Sequence, residues 1–176
     1  RTLANWKDAP ADADKRLALL CGKIEDTFAT VFRQMAMHRF EVLMHEARRS
    51  EGELSKERLA EFWMQTQEEQ FAEAIQFSEG YRWWWSYIPH FIGSPGYVYA
   101  YAFGELLTLA LIQRYRAEGT DFVPCYRKML ALGGSLPPVE VVAASGVRLD
   151  DPQIWDSALD YLEGMVNEAE RLAENR

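Results

Sequence analysis

The sequence predicts an all-α chain. Apolar residues recur at three- and four-residue spacing through several long stretches, beginning with Leu17, Leu20, Ile24, Phe28, Val31 and Phe32. That spacing lines one face of an α-helix. No stretch sustains the apolar/polar alternation of a half-buried strand, and glycines and prolines punctuate the pattern where helices would stop and start.

In chain order, Asp12 or Asp14 is placed to cap a long helix starting near Lys15, which continues through Met35, Phe40, Leu43 and Met44 until Gly52 breaks it. Ser55-Lys56-Glu57-Arg58 reads as the next helix start, with Leu59, Phe62, Trp63 and Phe71 following on one face. An aromatic stretch from Trp83 to Glu105 comes next. In it Pro89 and Pro95 disfavour helix in the residues before them, while Gly93 and Gly96 permit tight turns. A helix from about Tyr97 to Arg116, apolar on most sides, is expected to end at Gly119. A short helix from Phe122 to Leu132 stops at Gly133-Gly134, and Pro137-Pro138 open another that ends near Gly146. Asp150 or Asp151 caps a last amphipathic helix through Trp155, Leu159, Leu162 and Val166. These make about six or seven helices in a single helical segment spanning residues 1–176.

Composition narrows the function classes. Hydrophobic residues make up 48% and charged ones 26%, the balance of a globular protein. The net charge of −8, from 19 basic and 27 acidic residues, disfavours nucleic acid, whose phosphates require a basic face. No apolar run approaches the ~18 residues of a membrane span, so no membrane partner is expected. Cys21 and Cys125 lie far apart and form no metal or redox spacing. They read as core thiols of a protein in a reducing compartment, and a cytoplasmic location is expected. The chain begins at Arg1 rather than Met and shows no signal peptide, which fits a piece of a longer protein.

The stretch around His90 carries the chemistry. A histidine on a short loop between helices, followed by Tyr97, Tyr99 and Tyr101, presents N–H and O–H donors. Such donors suit a polarised carbonyl or an oxyanion. On a helix, Tyr97 and Tyr101 lie one turn apart and share a face, whereas Tyr99 points away as packing or rim. The plainer alternatives are a histidine bonded to a backbone carbonyl and tyrosines that serve as amphipathic core aromatics. His38, Glu41 and His45 lie near one helical stripe. A metal site in a helical bundle would need ligands from other helices, and no second Glu-x-x-His occurs, so buried polar pairing beneath the site or a solvated stripe is the better reading. Trp83, Trp84 and Trp85 would face three directions on a helix and are expected in the core. Gly133-Gly134-Ser135 lacks the lysine and preceding strand of a phosphate loop and reads as a helix stop.

Trp85-Ser86-Tyr87-Ile88-Pro89-His90-Phe91 and Pro95-Gly96-Tyr97-Val98-Tyr99-Ala100-Tyr101-Ala102-Phe103-Gly104 resemble two elements in the C-terminal part of oligoendopeptidase F and related thimet-oligopeptidase-like zinc peptidases. Thr30-Val31-Phe32-Arg33-Gln34, Arg39-Phe40-Glu41 with His45-Glu46, Gly133-Gly134-Ser135 before Pro137-Pro138, and Asp151-Pro152 with Trp155 extend the likeness almost end to end. One departure is Gly96, where the family usually has Phe, and it is expected to loosen the turn that aims Tyr97.

The resemblance implies the C-terminal part of a larger helical zincin-type catalytic domain that hydrolyses short peptides. It implies catalytic roles for His90, Tyr97 and Tyr101 in binding the tetrahedral intermediate, and substrate-binding roles for Tyr99 and Phe91. The His-Glu-x-x-His helix of such enzymes is absent: the sole His-Glu pair is His45-Glu46, and Arg49 stands where the second histidine belongs. Zinc is therefore expected in the complete protein and not on this chain, which has no metal ligand set and is expected to be inactive alone. The expected partners are an oligopeptide substrate, the missing N-terminal part of the same protein, and further copies of the chain through self-association. The alternative is a non-catalytic all-α module that binds a peptide or partner protein.

Overall fold

The computed structural model describes residues 13–174, and among them every regular element is helical. The helices are α1 (Ala13–Thr27), α2 (Arg33–Glu51), α3 (Lys56–Phe71), α4 (His90–Gly93), α5 (Tyr99–Glu118), α6 (Val123–Leu132), α7 (Pro138–Ala143) and α8 (Pro152–Glu174). A π-helical turn, Phe28–Phe32, joins α1 to α2, and 3₁₀ segments run over Glu79–Tyr87 and Gly119–Phe122. None of the helices is long and apolar enough to cross a membrane.

Local chemistry sets most of these boundaries. The Ser55 hydroxyl accepts the Arg58 N–H at 3.1 Å and starts α3, and Asp151 Oδ1 accepts the Gln153 N–H at 3.0 Å at the start of α8. Pro138 occupies the first turn of α7, where no N–H is needed. Gly119 and Gly133, at φ +65° and +51°, follow α5 and α6 in the left-handed region that favours glycine. Asp14 lies inside the first turn of α1, and Asp12, the other proposed cap, lies outside the described residues.

The described residues form two compact units, one from residues 13–26 with 104–174 and the other from Thr27–Phe103. The chain passes between them inside α1 and α5, so no linker composition marks the passage in the sequence.

In the Thr27–Phe103 unit, α2 packs on α3. Phe40, Trp63 and Phe91 form the centre of its core, with Met37, Ala47, Phe62, Ile88 and Val98 around them. The Phe40 ring meets Trp63 edge-on at 5.6 Å and Phe91 at 4.9 Å. Fully burying one such ring contributes about 1.5–3 kcal/mol. Trp63 Nε1 donates to the Tyr81 carbonyl at 3.1 Å, and the Tyr81 hydroxyl donates to Gln67 Oε1 at 2.9 Å, tying the first 3₁₀ segment to α3. Burial pushes the Tyr81 phenol above its ordinary pKa.

That 3₁₀ segment corrects the tryptophan expectation. Trp85 packs on Phe40, but Trp84 is 52% exposed and lies against Tyr81, and Trp83 is exposed beneath the Arg82 guanidinium and the Lys56 ammonium. Adjacent indoles splay apart around the segment, and only one reaches the core.

The other unit holds Leu111, Phe122, Met129, Val142 and Val147 in its core. Arg16 and Glu168 pair at 2.7 Å between α1 and α8. An apolar cavity of about 370 Å³ opens beside Leu111, Ile112, Tyr115, Phe122 and Tyr126. The cysteine expectation fails, since both thiols are exposed. Leu20 is the buried position in its turn of α1, and Cys21 stands about 100° further round the helix.

Candidate active site around His90

The sequence from Ile88 to Tyr101 folds as a chain of short turns. Ile88 is buried and extended, the conformation a following proline favours, and α4 begins at His90 immediately after Pro89. The Ser94 N–H closes this single turn on the His90 carbonyl at 3.0 Å. Pro95 follows, then Gly96 at φ +74°, and the Tyr97 N–H returns to the Ser94 carbonyl at 3.2 Å. Only then does α5 start, at Tyr99.

This path brings His90 and Tyr101 together. His90 Nε2 lies 2.9 Å from the Tyr101 hydroxyl oxygen, with the rings near-perpendicular at 77°. Tyr101 is 42% exposed and His90 is partly exposed, so the pair borders solvent. His90 is the first residue of a short helix rather than part of an irregular loop.

The expected pairing of Tyr97 with Tyr101 on one helical face does not occur. Tyr97 lies two residues ahead of α5 and is 59% exposed, because the positive-φ turn at Gly96 delays the helix start. Tyr99 opens α5 and sets its ring edge against His38 at 6.0 Å. Phe91, expected on the substrate side, is 8% exposed and packs against Phe40 and Trp63. Its neighbour His90 faces Tyr101 while the Phe91 ring anchors the turn in the core, and that apolar anchorage removes it from solvent.

Beneath the turn lies Glu41 of α2. It is 1% exposed, and its Oε1 accepts the Gly96 N–H at 2.8 Å. This is the polar pairing beneath the site that the helical stripe suggested, although its partner is a backbone amide rather than His38 or His45. Glu41 Oε2 and His38 Nδ1 are buried without a hydrogen-bond partner among the described residues. A bond across 55 residues has no local signal. The only hint is a carboxylate set inside the apolar run Phe40-Glu41-Val42-Leu43-Met44.

Among the described residues, no three His, Cys, Asp or Glu side chains gather where they could hold a metal ion. His38, Glu41 and His45 do not form such a group, and the described side chains do not by themselves compose a zinc site.

The chain as a whole aligns with known proteins. The chain is 30% identical over 163 residues to the plasmid-borne oligoendopeptidase F of Lactococcus lactis subsp. cremoris, covering 93% of this chain and 27% of that protein. It is 32% identical over 162 residues to oligopeptidase PepF of Bacillus subtilis, covering 92% of this chain and 24% of that one. The crystal structure of oligoendopeptidase-F from Enterococcus faecium superposes with a TM-score of 0.89 at 26% identity, over 96% of this chain and 32% of that chain. The chain thus spans about a quarter of the length of these curated relatives. The sequence pattern of peptidase family M3 matches residues 5–161, and the chain belongs to that family.

Proposed function

We propose that this chain is the C-terminal segment of a longer, zinc-dependent oligopeptidase that hydrolyses short peptides. The zinc-binding helix would lie outside this chain, and the segment supplies one wall of the substrate channel. The observation that carries the reading is the His90–Tyr101 pair, 2.9 Å apart and open to solvent.

A phenol has one proton to donate. With the imidazole protonated on Nε2, His90 donates to the Tyr101 oxygen and leaves the Tyr101 O–H free to point outward. Donation into the phenol also polarises that O–H and strengthens it as a donor. As water adds to a peptide carbonyl, negative charge grows on the carbonyl oxygen, and a donor already aimed at that position stabilises the transition state more than the ground state. Tyr97, exposed beside the turn, and the rim residue Tyr99 offer contacts for the peptide on either side.

The test is steady-state hydrolysis of a fluorogenic oligopeptide by the full-length protein. His90→Ala is expected to lower kcat by about a hundredfold, with KM little changed and zinc content preserved. Full turnover in that variant with zinc retained refutes the reading.

A further inference from the structure

Between the core residues Phe91 and Val98, one backbone amide of the turn reaches across to another element. Within residues 93–97, the Gly93 N–H bonds to the Pro89 carbonyl, Ser94 to His90 and Tyr97 to Ser94, all inside the turn. Pro95 has no N–H. Gly96 alone in that run directs its amide to another element, to Glu41 Oε1 at 2.8 Å. Glu41 in turn sits at 1% exposure on α2, one residue after Phe40, whose ring packs on Phe91.

We propose that Glu41 is a positioning residue: its carboxylate holds the Gly96 turn so that His90 and Tyr101, which enter from opposite ends of that turn, meet. This deepens the proposed function and rests on it, since the pair so held is the suggested donor to the oxyanion. Burying a carboxyl group is unfavourable unless it finds a hydrogen-bond partner, and the Gly96 N–H supplies one to Oε1. Phe91 fixes the α4 side of the turn by apolar packing. The amide clamp acts on the far side, where Gly96 carries no side chain to pack and the buried Val98 follows two residues later.

Oε2 identifies what Glu41 contributes. That oxygen is buried and accepts no hydrogen bond from the described residues. A glutamine at this position keeps an acceptor for the Gly96 N–H and forfeits no bond at the other atom. An aspartate keeps the charge but withdraws it by about one methylene, roughly 1.5 Å, out of reach of a bond that must stay near 3 Å. A clamp therefore tolerates Glu41→Gln and fails with Glu41→Asp, whereas a role for the charge itself gives the reverse order.

The experiment compares wild type, Glu41→Gln, Glu41→Asp and Glu41→Met in the full-length protein. Hydrogen–deuterium exchange is followed in the peptide covering residues 93–97 and in α8, and peptide hydrolysis is measured in parallel. In Glu41→Asp and Glu41→Met we expect exchange at 93–97 to quicken about tenfold or more with α8 unchanged, and kcat to fall at least tenfold with little change in KM. Glu41→Gln should stay near wild type in both readouts. The clamp is overturned if Glu41→Gln is as damaged as Glu41→Asp, or if exchange at 93–97 is the same in all four proteins. Should Glu41→Met fail to fold, the order of the Gln and Asp variants decides. Unaltered turnover in His90→Ala would refute the proposed function separately, leaving exchange to judge the clamp.

Discussion

His90 and Tyr101 meet edge to face, Nε2 to hydroxyl at 2.9 Å, across eleven residues that include a proline and a glycine at positive φ. Neither residue is held by the other alone. Phe91 anchors one end of the turn in the core, and the other end is held by the Gly96 amide on Glu41 and by the buried Val98.

The anchoring by Phe91 is a packing effect and should appear in stability. Phe91→Ala leaves a cavity against Phe40 and Trp63 and should cost about 3–5 kcal/mol. Tyr97→Ala, at an exposed position, should change stability by less than about 0.5 kcal/mol. Urea unfolding midpoints of the two variants check this, and equal losses would contradict the placement of Phe91.

Gly96 is needed for its backbone and not for space. A Cβ built there would meet nothing within 4 Å, but φ is +74°. Gly96→Ala should therefore destabilise the chain by about 1–2 kcal/mol through the left-handed backbone alone. A neutral effect in chemical denaturation would show that the turn relaxes to another conformation.

Glu105, early in α5, is held above its ordinary pKa of 4.5, chiefly by burial, with Asp26 adding to the rise and Lys23 opposing it. The folded state thus favours the protonated acid. The stability this group contributes is fully present below its ordinary pKa and is lost as pH rises through the raised value. Glu105→Gln should match wild type in unfolding midpoint near about pH 4 and exceed it near about pH 7. A larger gain at the acidic end would reverse the sign and refute the assignment.

Zinc added to the 176-residue chain should find no stoichiometric site, because its three histidines, His38, His45 and His90, include no pair at His-Glu-x-x-His spacing. Elemental analysis after incubation and desalting checks this. One equivalent of retained zinc would show a site that these side chains do not form in the present structure.

Most of the helical order was legible in the sequence because it is set locally. Ser55 and Asp151 cap the helices they were expected to cap, and Gly119 and Gly133 end the helices before them. The break between helices around Pro89 and Pro95 was legible, but the side-chain geometry it produces was not. Helical periodicity placed Tyr97 and Tyr101 on one face, yet the Pro95–Gly96 turn delays α5 past Tyr97 and leaves His90 as the partner of Tyr101. Phe91 sits in a motif that reads as functional, and only tertiary packing shows its ring turned inward. The exposed tryptophans and cysteines show the converse, since residue types usually buried stand outside where helical phase or a 3₁₀ turn places them there.

In the proposed mechanism His90 and Tyr101 act as one unit, which a double-mutant cycle on kcat in the full-length protein can decide. If His90 aligns and polarises the Tyr101 O–H, His90→Ala and Tyr101→Phe should each lower kcat by about a hundredfold, and the double variant should fall little further. Tyr99→Phe, whose ring faces His38, should fall less than either. Losses that multiply to about ten-thousandfold in the double variant would mean that the two groups act independently, and would contradict the account.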